Sequence, residues 1–179
     1  QQALPVEISK GLWLGSAKEA RDLPTLEAFG ITHVLHAAGA AARGPVEAYA
    51  ARGIEYLELG GEDEEGYPML ERHLAAARAF ITAAAGRVLV HCVAGLNRSG
   101  VVAAAERMLA MNEDVLTAVA HCRRKRGNMF LCNESFQAQL VALAREHDRL
   151  GRAPAAPPRP EGKVRRALPA AALNRLAKS

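Results

Sequence analysis

Aromatic residues are scarce in this chain: one Trp, three Tyr and four Phe among 179 residues. With 50% of the residues apolar, a core can still be buried, but it must rest on Leu, Val, Ile and Ala. Long apolar runs are lacking, so no helix is expected to cross a bilayer. No basic region followed by an apolar stretch stands near the first residue. A secretory leader is therefore not expected, and the reading favours the cytoplasm, with the nucleus as an alternative. Cysteines number only three, which fits free thiols in a reducing compartment better than a disulfide framework. Internal repeats are lacking too, and nothing in the sequence fixes an oligomeric state.

The net charge of +4 hides a division. Residues 1–150 hold 16 Lys/Arg against 18 Asp/Glu, a net of −2; residues 151–179 hold seven basic residues against Glu161, a net of +6. The basic character belongs to the tail, and nucleic-acid binding by the preceding domain gains no support from it. Pro154, Pro157, Pro158 and Pro160 favour an extended linker. Pro169 can then open a short helix through Leu173 and Leu176. The expected division is a domain over 1–150 and a basic Pro/Ala-rich tail over 151–179, the tail suited to an acidic partner or RNA.

Within 1–150 strand and helix signals alternate. Residues 12–14 read as a strand closed by Gly15, and Ser16 with Glu19 forms a capping box. Asp22 caps a helix with Pro24 in its first turn. Strands are predicted over 31–35 and 53–57. Leu70, Leu74, Ala77, Ile81 and Ala84 share one helical face, which Gly86 ends. Residues 87–91 are nearly all apolar and belong at the centre of a sheet covered on both faces. Residues 101–111 read as a buried helix, and Asn112 and Asn133 as N-caps of two more. The alternation predicts an α/β fold, with a central, largely parallel sheet flanked by helices on both faces.

The segment that carries chemistry runs from Val88 to Gly100. A buried strand ends at Cys92, and six residues later Arg98 and Ser99 open a buried helix. A turn of this length can curl the N–H groups of Val93, Ala94, Gly95, Leu96 and Asn97 around one centre, as an anion nest at a helix N-terminus. Gly95 permits the curl. Inward N–H groups and the helix dipole stabilise a thiolate. The planar fork of Arg98 can hold two phosphate oxygens, and the Ser99 hydroxyl can donate to the sulfur. A thiolate beneath a cradled tetrahedral anion is arranged for in-line phosphoryl transfer to sulfur. A lone cysteine at the end of a core strand is ordinarily an inert small residue; His91, Gly95, Arg98 and Ser99 around it change the reading.

The stretch from His91 to Ser99 resembles the His-Cys-x5-Arg-Ser/Thr signature of the cysteine-dependent protein tyrosine phosphatases. Most of residues 7–150 resembles their dual-specificity branch, with residues 12–17, 30–35 and 133–140 adding to the likeness. The resemblance implies a protein tyrosine phosphatase-like fold, a phosphocysteine intermediate and no metal or cofactor. It implies phosphorylated Tyr and Ser/Thr of proteins as substrates, and supporting roles for His91 and Asn133. It also implies an upstream aspartate that protonates the leaving oxygen. Asp63, in the Gly-flanked stretch 60–66, stands where that acid belongs, with Glu62 and Glu64 in reserve. Two departures are visible. Cys132 stands where the family usually has Pro, which bears on the bracing of the phosphate loop. The loop also lacks the lysines of related phosphoinositide phosphatases, which disfavours a lipid substrate.

Two alternatives stay open. One is an RNA 5′-triphosphatase, whose loop residues 95–100 resemble, although those enzymes commonly carry His where Ala94 stands. The other is a non-catalytic phospho-binding module. Zinc is not expected, because the neighbours His91 and Cys92 would point to opposite faces of a strand. Cys122 or Cys132 is a candidate resolving thiol for Cys92. His33, His36, His73 and His147 read as structural or surface residues. The basic run 123–126 reads either as a solvated helix end or as a contact for an acidic partner.

Overall fold

The computed structural model describes residues 5–151, so the helix expected after Pro169 lies outside the described residues. Five strands make one sheet: β1 (Val6–Ser9), β2 (Leu12–Gly15), β3 (Ile31–His36), β4 (Glu55–Glu58) and β5 (Arg87–His91). Their order is β1-β2-β5-β3-β4. Only the β1–β2 pair is antiparallel; β5 runs parallel to both β2 and β3, and β3 parallel to β4.

The apolar run of β5 follows from this central place. Successive side chains of a strand face opposite ways. Val88 and Val90 enter one core cluster, while Leu89 enters the other. The smaller cluster is closed by Ala20 of α1 (Ala17–Arg21), Leu26 of α2 (Leu23–Ala28) and Tyr49 of α3 (Val46–Ala50). The larger is closed by α4 (Met69–Ala83), α5 (Arg98–Ala110), α6 (Val115–Arg126) and α7 (Glu134–Glu146). Helix α5 packs against α4, α6, α7 and the sheet, and this enclosure is why it is apolar on nearly every side.

Local signals act as the sequence indicates at most joints. Ser16 and Glu19 complete both halves of a capping box, and Asp22 and Asn133 cap α2 and α7. Asn112 does not cap α6. It lies at φ 56 in the preceding turn, and Asp114 caps the helix by accepting from Thr117 N at 2.9 Å. Helix α4 stops at Ala83, ahead of Gly86, with Ala84 as its C-cap. Strand β1 and helix α3 are elements the sequence pattern does not reveal. Among the described residues no helix is long and apolar enough to cross a membrane.

Candidate active site

The central strand delivers Cys92 to the N-terminus of the most enclosed helix. The Cys92 thiol is buried, and its Sγ accepts from Gly95 N at 3.3 Å and from Ser99 Oγ at 3.1 Å. Both donors are aimed at the sulfur. Asn97, the N-cap of α5, makes no side-chain capping bond, so the first-turn N–H groups stay open to an anion.

The loop carbonyls are tied outward, and the Gly95 N–H faces the sulfur. Val93 O accepts from Ala17 N at 3.0 Å, and Leu96 O from Leu131 N at 3.1 Å. Ala94 O and Gly95 O accept from Arg126 Nη2 at 2.8 Å and Nε at 3.0 Å. Asn97 O accepts from Val101 N within α5 at 2.8 Å. Gly95 has φ +67, and a Cβ there would meet Gly15 O at 2.4 Å, so both backbone and space require glycine.

Arg126 corrects the reading of the basic run, since it is only 4% exposed and faces inward. Burial holds its pKa below the ordinary arginine value, opposed by the charges of Glu19 and Cys92. A signal was present in the sequence. Val115, Ala118, Cys122 and Arg126 fall at helical spacing and form the buried face of α6.

Asp63 lies over the loop. Its Oδ1 accepts from Asn133 Nδ2 at 3.2 Å and its Oδ2 from Asn97 Nδ2 at 3.4 Å. Arg98 Nε stands 3.8 Å from Oδ2, within ion-pair reach but too far for a hydrogen bond. Arg98 Nη1 makes one long contact to Gly61 O at 3.5 Å. The guanidinium is therefore weakly held and can turn its fork to a phosphate. The side chain of Asn97 bridges in a second direction, its Oδ1 accepting from Cys132 N at 3.0 Å and Asn133 N at 3.1 Å. Asn133 thus braces the loop through its backbone N–H while its side chain reaches Asp63. Cys132 supplies an N–H that a proline would lack, so this departure from the family pattern adds a donor.

His91 sits behind Cys92, fully buried, with Nδ1 3.3 Å from Cys92 O. Its ring stacks on His36, with centroids 4.6 Å apart and planes within 5°. His36 meets the Tyr56 hydroxyl at 3.0 Å, and Tyr56 donates to Glu58, which holds Arg43 by two bonds of 2.6 and 2.9 Å. Burial pushes His91 down to about 3, and His36 down to about 4 against the opposing pull of Glu58. Both rings are neutral at neutral pH. Cys122 is buried, and burial pushes its thiol up to about 12, so it stays protonated. Cys132 is exposed, and all three cysteines are free. Among the described residues no group of three or more His, Cys, Asp or Glu could hold a metal.

A cleft of about 350 Å³ opens above the loop, between Gly39 and Ala40 on one side and residues 60–64 on the other, with Val93 and Arg98 below. A larger cleft of about 590 Å³ lies between α4, α5 and α7, but none of Asp63, Cys92, Arg98 and Ser99 lines it.

The chain matches the family described as dual specificity phosphatase, catalytic domain, over residues 12–146. Dual specificity protein phosphatase 26 of Bos taurus is 37% identical over 143 residues, covering 78% of this chain and 66% of that protein. The match thus spans a little under two thirds of that relative's length. Dual specificity protein phosphatase 13B of Homo sapiens is 34% identical over 152 residues, covering 82% of this chain and 74% of that protein. The crystal structure of human DUSP28 superposes with a TM-score of 0.69 at 24% identity, covering 83% of this chain and 97% of that one, a likeness of fold.

Proposed function

The chain belongs to the dual-specificity phosphatase family, and on that footing we propose that it hydrolyses phosphate monoesters on Tyr and on Ser/Thr of proteins. The observation that carries the reading is Cys92 Sγ held by Gly95 N and Ser99 Oγ beneath a loop whose carbonyls are all turned away. The Cys92 thiolate attacks phosphorus in line, the S–P bond forms, and the bond from phosphorus to the substrate oxygen breaks. Asp63, protonated at this step, gives its proton to that oxygen. The loop N–H groups and the Arg98 fork hold the three remaining phosphoryl oxygens. Asp63, now a carboxylate, takes a proton from a water that attacks phosphorus. The S–P bond breaks as Ser99 donates to the departing sulfur, and inorganic phosphate leaves.

Small rim residues support the breadth of substrate. Gly39 and Ala40 line one side of the cleft without bulk, and an unobstructed rim admits the short phosphoserine and phosphothreonine as well as phosphotyrosine. Exposed Glu62 and Glu64 beside it oppose a polyanionic substrate. The basic tail 151–179 serves an acidic partner outside the catalytic step, and the free thiols suit a reducing cytoplasm or nucleus.

The test is a panel of phosphotyrosine peptide, phosphothreonine peptide, phosphoinositide and triphosphate-ended RNA. Turnover of both peptides is expected. Release of the γ-phosphate from RNA with both peptides untouched would replace the reading with an RNA triphosphatase. Binding of the peptides without turnover would make the chain a phospho-binding module.

A further inference from the structure

Asp63 sits in a loop whose last turn is closed by Tyr67 N donating to Glu64 O at 3.3 Å and Met69 N donating to Tyr67 O at 2.8 Å. The loop leaves β4 at Glu58 and enters α4 at Met69. Gly60 and Gly66, on either side of Asp63, have φ +71 and +80, a conformational freedom that must be restrained from outside. Pro68, the N-cap of α4, makes no side-chain capping bond, and from within the segment the entry is held through Tyr67, whose hydroxyl meets His73 of α4 at 2.7 Å.

Gln139 of α7 adds two restraints from another helix with one amide. Its Oε1 accepts from Leu70 N at 3.0 Å, capping the first turn of α4 from another helix. Its Nε2 donates to Tyr67 O at 2.7 Å, gripping the last turn of the loop. A side-chain amide offers a donor and an acceptor on one planar end. Six residues earlier on α7, Asn133 holds Asp63 itself. Helix α7 is anchored by the buried Phe136, Leu140 and Ala144, so these two grips share a rigid support.

We propose that Gln139 is a positioning residue for the general acid: it fixes the Tyr67–Leu70 hinge and so holds Asp63 over the phosphate loop. The inference rests on the reading of Asp63 as the acid. Loosening the hinge lowers the fraction of molecules with Asp63 in reach, and the observed rate falls with that fraction wherever the proton is needed. An activated phenolate leaves without much help, whereas a basic leaving group does not.

The test is Gln139→Met, which keeps the length and loses both polar groups, assayed on aryl phosphates of graded leaving-group pKa beside Asp63→Asn. With phenyl phosphate the rate should fall about tenfold, the equivalent of one hydrogen bond. With an activated nitrophenyl phosphate the change should stay under about twofold. Placed on Asp63→Asn, the substitution should cost nothing further, because the group it positions is already gone. An equal loss on every leaving group, or a full additional loss in the double variant, would overturn the inference and leave Gln139 a structural residue only. Should Gln139→Met not fold, Gln139→Glu, which keeps the acceptor for Leu70 N and loses the donor to Tyr67 O, is read the same way. If Asp63→Asn slows every leaving group alike, it is the assignment of the acid that fails, an outcome distinct from the failure of Gln139.

Discussion

Among the five loop carbonyls that are tied outward, two depend on the single guanidinium of Arg126. Releasing them would let the peptide planes at Ala94 and Gly95 turn, and the N–H groups would no longer converge above Cys92. Arg126→Met should therefore destabilise the fold by about 2 kcal/mol, the scale of lost charge-assisted hydrogen bonds. It should also lower kcat/KM on an aryl phosphate by more than about tenfold. Denaturant unfolding and steady-state kinetics check the two effects, and unchanged kinetics in the folded variant would show that the loop keeps its shape unaided. The contrast with Cys92 explains what sequence reading captures at this scale. Cys92, Gly95, Arg98 and Ser99 lie within eight consecutive positions, so their joint chemistry is visible in the text. Arg126 and Gln139 act on residues 31 to 72 positions away, and only tertiary packing brings them there, whereas Asn133, 70 positions from Asp63, is legible through the family resemblance. Arg126 was masked further by its neighbours, since a run of four cations reads as solvated.

The ends of β3 and β5 carry a stacked pair of neutral imidazoles, His36 and His91, and this gives the sheet a pH dependence. Unfolded histidines take up a proton near pH 6.5, whereas the folded ones resist until about 4 and about 3. Between those values the unfolded chain binds more protons, so stability rises with pH across the window and is lost on acidification. Thermal unfolding followed from pH 7 to pH 4.5 should show a falling midpoint, and His36→Asn should flatten the fall. A midpoint that stays level across this range would show that the rings titrate normally when folded. At the scale of elements, the strands and helices with strong patterns were legible: β5 by its apolar run, α4 by its face, α5 by being apolar almost all round. Strand β1 was not, because four residues at a sheet edge give too little alternation to register. Helix α3 was not, because five residues after Pro45 make barely more than one turn and are held by Tyr49 in the small core. At the start of α6 the cap moved from Asn112 to Asp114, a two-residue shift set by the turn that Asn112 enters at positive φ.

At the scale of the whole molecule the charge is divided along the chain. The net of −2 over residues 1–150 includes every group assigned to the reaction, while the tail carries +6. A chain ending at Gly151 should keep its rate on a small aryl phosphate within about twofold. Any affinity for an acidic macromolecule should drop with the tail, and the difference should shrink as salt rises. A collapse of small-substrate turnover in the folded, shortened chain would show that the tail packs on the catalytic domain. The central claim, that Cys92 carries the phosphoryl group, has a more direct test. Parent protein is mixed with a phosphorus-labelled aryl phosphate, quenched within the first turnover, and mapped by peptide mass spectrometry. The expected result is up to one phosphoryl group per chain, on Cys92, appearing before inorganic phosphate and absent from Cys92→Ser, which should not turn over. Sustained release of phosphate with no label on Cys92, and equal release by Cys92→Ser, would contradict it.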